Sequence, residues 1–375
     1  MKIISSILLI FYFVGCSKPL ILKRITFNDA QADKNRNYTN NYFFETALED
    51  SFSYKNEISI KGNLDKNPFF FFDSYLFLGD LAGKFYIIDI EENKIIGDHQ
   101  FNGSINVPPI LSNYRLFIPL NNYNNNYATL YFYDILNNKV LSEINIDGNV
   151  DYNIMKYKDH IIAISNRGIL YRINLAGAFE SKHKLLSELK SEPILVNDKI
   201  YYVGYDGNLY SFSLIENKAK IELVNMNLEK IFSYKEEIVV INDNSYEIFK
   251  EENISDIQLS DVSLSIIQSG VSDDKGLYFI DYSGNTVCID KVNRKVKWKT
   301  KLSGFTNIPL VLTNDYLLVT NSVGEILFLN KDTGKEYSRV KVEERIKTVP
   351  QIYENRVYFG VAKGLIKVYE KVNKK

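Results

Sequence analysis

One unit recurs through most of this chain: a run of β-formers, a Gly turn, a second run, then a polar turn. It is clearest at Tyr201-Tyr202-Val203-Gly204-Tyr205-Asp206-Gly207-Asn208-Leu209-Tyr210-Ser211-Phe212-Ser213. The turn glycine returns at Gly83, Gly168, Gly284, Gly324 and Gly364, with weaker copies near Ala128 and at Ser245. Gly168 to Gly207 spans 39 residues, Gly207 to Ser245 spans 38, Ser245 to Gly284 spans 39, and the next two steps are 40 each. Gly83 to Gly168 spans 85, which is two units plus the insert from Asn121 to Asn126. Eight units of this length predict an all-β fold: an eight-bladed β-propeller of four-stranded antiparallel blades. The local pattern agrees, because no long segment keeps the 3.6-residue period of a helix.

Two further registers run with the glycines. A Pro stands 14 or 15 residues before the Gly at Pro68, Pro193, Pro309 and Pro350, and Pro109 opens the unit with the insert. Pro has no N–H to donate, so it suits the start of a strand. Six residues after the Gly comes Asp89, Asn174, Ser213, Asp290 or Asn330, side chains that bond to nearby backbone and favour turns. The last unit ends soon after Leu365-Ile366-Lys367-Val368-Tyr369 and lacks a fourth strand. A spare β-run, Phe52 to Ile60, precedes the first unit. It is expected to pair with the last blade and close the ring, since an open ring would expose strand edges to aggregation. The run Phe69-Phe70-Phe71-Phe72 follows Pro68 and is expected to pack in the core.

The first residues form an address. Met1-Lys2 leads into an apolar run from Ile3 to Val14, the length of a secretory signal and too short for a permanent membrane span. The run ends in Phe13-Val14-Gly15-Cys16, which resembles a bacterial lipobox: cleavage precedes Cys16, and Cys16 carries the lipid. Ser17 in place of Asp favours the outer membrane by resemblance to sorted lipoproteins. The expected organisation is a signal peptide over 1–15, a lipid anchor and flexible tether over 16–50, and the propeller over 51–375. With Cys16 acylated, Cys288 has no disulfide partner and reads as a small buried hydrophobe.

Composition removes several functions. The 46 acidic and 45 Lys and Arg residues leave a net charge of −1, so no cationic surplus favours nucleic acid. His99, His160 and His183 lie in different units with no ligand spacing, which points away from zinc. Asp206-Gly207-Asn208 and Asp273-Asp274 lack the ligand ladder of an EF-hand and read as turns. No phosphate loop, dinucleotide fingerprint or nucleophile elbow occurs. Metal ligands, cofactor-binding residues and catalytic residues are therefore all expected to be none.

The turn Asn330-Lys331-Asp332-Thr333-Gly334-Lys335, and Lys295-Val296-Lys297-Trp298 after Asp290, resemble the PQQ-like propeller repeat. No Trp-Asp dipeptide closes a unit, so a WD40 repeat is disfavoured. Quinoprotein dehydrogenases share the PQQ repeat, and that resemblance would imply a stacked Trp, a vicinal Cys pair and a Ca²⁺ site. One Trp and a lone Cys288 cannot assemble them. Lipobox, polar tether and eight PQQ-like units together resemble the outer-membrane protein assembly factor BamB family.

The resemblance implies a non-catalytic, lipid-anchored scaffold of the outer-membrane β-barrel assembly machinery on the periplasmic face of the outer membrane. It would be a monomer within a hetero-complex, binding a BamA-like protein and assisting insertion of outer-membrane proteins, with unfolded outer-membrane proteins as further partners. It also implies docking through the loops entering blades four and five. Here these are Leu185 to Pro193, with Leu186 and Leu189 as apolar anchors and Lys190 as the cation, and Asn225-Met226-Asn227-Leu228-Glu229. Asn225, Asn227 and Glu229 stand where the family carries acids, and only Glu229 keeps a charge. The competing reading is an envelope propeller that binds a saccharide or other ligand; an aromatic-lined pocket at the ring mouth would favour it.

Overall fold

The computed structural model describes residues 19–20, 38–46, 52–60, 62–252, 260–262 and 264–371. The expected signal peptide and Cys16 lie outside these residues. Eight sheets follow one another around a ring, seven of four antiparallel strands and one of five. Blade 4 is representative, with strands Ile194–Val196, Lys199–Val203, Leu209–Ser213 and Lys218–Leu223 from the axis outward. The proline register precedes the inner strands: Phe69–Phe72, Ile110–Ser112, Ile194–Val196 and Gln351–Tyr353 each begin directly after a Pro.

The repeat glycines hold their places for a physical reason. Gly83, Gly168, Gly207, Gly284, Gly324 and Gly364 all have positive φ, between 64° and 86°, where a Cβ is strained. Their carbonyls accept an N–H from the segment leading to the next blade, as from Leu185, directly after an outer strand, to Gly168 at 2.8 Å, and from Leu228, just before the inner strand of blade 5, to Gly207 at 2.9 Å. The polar turn residues act as read: Asp89, Asn174, Asp290 and Asn330 each accept backbone N–H groups two to four residues on.

The ring is closed by the early strand. Phe52–Ser59 pairs antiparallel with Leu365–Lys371, from Phe52 opposite Lys371 to Ser59 opposite Leu365. The Ile60 N–H then donates to the Gly364 carbonyl at 2.9 Å, the same contact that the other blades make within the repeat. The cores lie between blades, one apolar cluster after another around the ring. Phe69 to Phe72 are all buried in them, and so is Cys288. Trp298 of blade 6 lies against the Gly334 turn of blade 7 and donates its indole N–H to the Lys331 carbonyl at 2.8 Å. Thr300 Oγ1 donates to Gly334 beside it. The Thr-Gly turn and the Trp of the repeat are thus the two halves of one inter-blade contact.

The tether expected over 16–50 is corrected for residues 38–46. They run inside the ring along the inner strands of successive blades. Leu195 donates its N–H to the Tyr38 carbonyl, Ser233 to Thr39 and Leu312 to Tyr42, at 2.7–2.9 Å. The Asn41 side chain pairs with both backbone groups of Ser272, at 2.8 and 2.9 Å. Phe43–Phe44 then adds a fifth, parallel strand to Val311–Thr313 of blade 7. Inner strands converge on the axis with unsatisfied edges, and an extended segment there satisfies them.

Candidate partner-binding surface and central channel

In each blade, the turn between the second and third strands shares one face of the ring with the loop leading to the next blade. The loops entering blades four and five therefore lie side by side with the Asp206-Gly207-Asn208 turn. Tyr205 donates its N–H to Glu188, and Asn225 its N–H to Asn208 Oδ1. Across the two loops, Lys190 Nζ meets Glu229 Oε1 at 2.6 Å, with both side chains part-exposed. Asn225 and Asn227 have φ of 59° and 51°, a conformation Asn tolerates better than most residues. Their role here is to turn the loop.

The two leucines part company. Leu186 is 56% exposed. Leu189 is 2% exposed, packed between blades 3 and 4 with Leu185, Tyr202 and Tyr210, and bridged through its backbone to Gly204. Leu189 is therefore part of the core, which corrects its expected role as a surface anchor. Residues not singled out from sequence are exposed on the same face: Tyr205, at 66%, in the turn beside Glu188, and Val224, at 54%, in the loop entering blade five. Further along the same face, Tyr282 and Phe305 continue the apolar display. Exposed apolar side chains on a face that also carries an ion pair have the composition of a protein-docking surface. A signal for Tyr205 was present, since it occupies a turn that otherwise needs only small or polar residues.

The ring centre holds a cavity of about 990 Å³. Residues 38–46 form one side of it. Asn67, Phe70, Pro109, Asn153, Gln351 and Tyr353 stand on the other. Glu192 lies deep beside it, accepts the Asn153 N–H at 2.6 Å and sits near Tyr42. Desolvation by the wall holds its carboxyl up at about 8. Lys230, which donates to the Ile267 and Gln268 carbonyls at 2.8 and 2.5 Å, is brought down to about 8 by its own burial. Among the described residues, no three His, Cys, Asp or Glu side chains come together as metal ligands, and no helix is long and apolar enough to cross a membrane.

The geometry defines the class first: an eight-bladed β-propeller of four-stranded blades. The family model described as outer membrane protein assembly factor BamB matches residues 284–373. The crystal structure of BamB from Moraxella catarrhalis superposes with a TM-score of 0.67 at 13% identity, over 85% of this chain and 100% of that one. The computationally designed Ika8 protein gives 0.64 at 14% identity, over 84% and 98%. The C-terminal WD40 domain of Sif2 gives 0.62 at 11% identity, over 87% and 100%. Comparison with curated proteins by sequence gives no match. At these identities the superpositions establish shape, and a WD40 domain shares it. Over residues 284–373 the chain is similar to the BamB family model, and over most of its length it shares the propeller fold of these structures.

Proposed function

We propose that this protein is a non-catalytic, lipid-anchored scaffold of an outer-membrane β-barrel assembly machinery, held at the periplasmic face of the outer membrane. In this reading it grips a BamA-like subunit with the loops entering blades four and five. The observation that carries it is the exposure of Leu186, Tyr205 and Val224 on the ring face that also bears the Lys190–Glu229 pair. Leu186 and Val224 lie on the loops for which the family resemblance implies docking, and Tyr205 lies on the turn beside them. The aromatic and the leucine supply buried area, and the ion pair supplies register. Unfolded outer-membrane proteins are further candidate partners for the same face. The test is capture from detergent-solubilised membranes: wild type should retain a BamA-like protein, and Leu186→Asp with Tyr205→Asp should lose it at unchanged melting temperature. Retention by the double variant would remove this surface from the reading.

The ring-centre cavity favours a second reading. Tyr42, Phe44, Tyr234 and Tyr353 line it with Asn and Gln side chains, a combination that suits a saccharide. Saturable oligosaccharide binding by calorimetry, lost in Tyr353→Ala, would support this reading over the first.

A further inference from the structure

Leu20 lies outside the ring and is fully buried. It fills the outer cleft between blades 1 and 2, in the cluster that holds Phe85, Ile87 and Tyr133. The site is built for it on both sides. Its N–H donates to Asn138 Oδ1 at 3.0 Å, and Tyr133 Oη donates to the same oxygen at 2.5 Å. Opposite stands Gly97, inside the outer strand Lys94–Gln100. A Cβ there would meet the Pro19 carbonyl at 3.0 Å and Leu20 Cα at 3.2 Å. Glycine inside a strand commonly marks a close backbone approach, and here the approaching backbone is the chain's own N-terminal segment.

We propose that this cleft fixes the membrane-facing edge of the propeller; the inference rests on acylation of Cys16. Cys16 precedes Leu20 by four residues, so the lipid-bearing residue cannot stand more than about 14 Å from the cleft. The headgroup layer on one side is about 5–8 Å deep, so a tether of this length keeps the corner of blades 1 and 2 close to the lipid surface. The neighbouring side chains suit that contact. Leu136, in the turn that holds Asn138, and Leu141, on the strand Lys139–Asp147, are each more than 40% exposed. The Asn138 turn lies on the opposite face of the ring from the loops entering blades four and five. Those loops are also several blades away around the ring. The lipid surface therefore takes one corner and leaves the docking patch directed away from the bilayer.

Two measurements test this. In the non-lipidated chain, the Leu20 amide should exchange hydrogen slowly, and Asn138→Ala should accelerate it without changing exchange in the inner strands. Exchange of the wild-type amide at the rate of an unstructured peptide overturns the docking. The lipidated full chain is then placed on vesicles of phosphatidylethanolamine and phosphatidylglycerol containing a spin-labelled lipid. Burial pushes the Cys288 thiol up to about 12, so it stays unlabelled in the native protein. Single reporters at Leu141→Cys and, on the far face, Val323→Cys should differ: strong quenching at 141 and none above the lipid-free control at 323. Equal quenching overturns the orientation. Mass spectrometry of the N-terminal peptide separates the two failures. An unacylated Cys16 removes the lipoprotein reading and this inference with it, whereas acylation with equal quenching removes the orientation alone.

Discussion

Leu186 and Leu189 are three residues apart in one loop, and the fold assigns them opposite work. Leu186→Asp exchanges an exposed apolar group for a solvated charge, so stability should move by no more than about 0.5 kcal/mol. Leu189→Asp places a carboxylate among Leu185, Tyr202 and Tyr210, and should cost about 3 kcal/mol or more. Denaturant midpoints of the two variants check this, and equal midpoints would contradict the assignment. The Lys190–Glu229 pair is part-exposed on both sides, so its coupling in a double-mutant cycle should stay below about 1 kcal/mol. Its weight would fall on partner choice: Lys190→Glu should lower capture of the partner far more than it lowers stability. From sequence, both leucines fit one motif. What separated them was the backbone bridge from Leu189 to Gly204, a contact between units that no single unit displays. Lys190 and Glu229 were legible as charges at loop entries, and their mutual distance was not.

At the scale of elements, the strands were the most legible part of the chain. Positive-φ glycines, prolines before inner strands and Asx turns recur at fixed offsets, because each performs one geometric task per blade. The closing strand was legible too, since Phe52 to Ile60 alternates and the last unit lacks a partner. Residues 38–46 escaped the same reasoning. They satisfy inner edges through backbone groups and one amide side chain, which leaves no alternation of apolar and polar residues to detect. Asn41 is the clearest case. Its side chain stands in for a neighbouring strand by pairing with the N–H and the carbonyl of Ser272. Asn41→Ala would leave both groups of Ser272 buried without those bonds, at a cost of about 2 kcal/mol or more. Asn41→Asp should restore the bond from the Ser272 N–H alone, and its thermal midpoint should fall between wild type and Asn41→Ala. Identical midpoints for wild type and Asn41→Ala would mean that the segment contributes nothing to closing the channel.

Over the whole molecule, two part-buried titrating groups around the channel give stability a distinctive pH profile. Glu192 ionises at about 8 in the folded chain against 4.5 for the free side chain. Between those values the unfolded chain releases a proton that the folded chain keeps. The stabilisation from burying the neutral acid is complete below about 4.5 and is lost as pH rises towards 8. Lys230 works in the opposite sense. It ionises at about 8 when folded against 10.5 when free, so folding requires its neutral form above pH 8 and stability recovers from there towards 10.5. The combined contribution has its minimum near pH 8. Surface pairs do not imitate this profile, because exposed Lys and Asp or Glu remain charged across that range. Glu192→Gln isolates the acid limb: it keeps an acceptor for the Asn153 N–H and removes the proton. Urea midpoints of wild type and Glu192→Gln should lie close together near pH 5. They should then separate as pH rises to about 8, with the glutamine variant the more stable. A constant difference between the two proteins across that window would show that the channel wall does not hold Glu192 neutral.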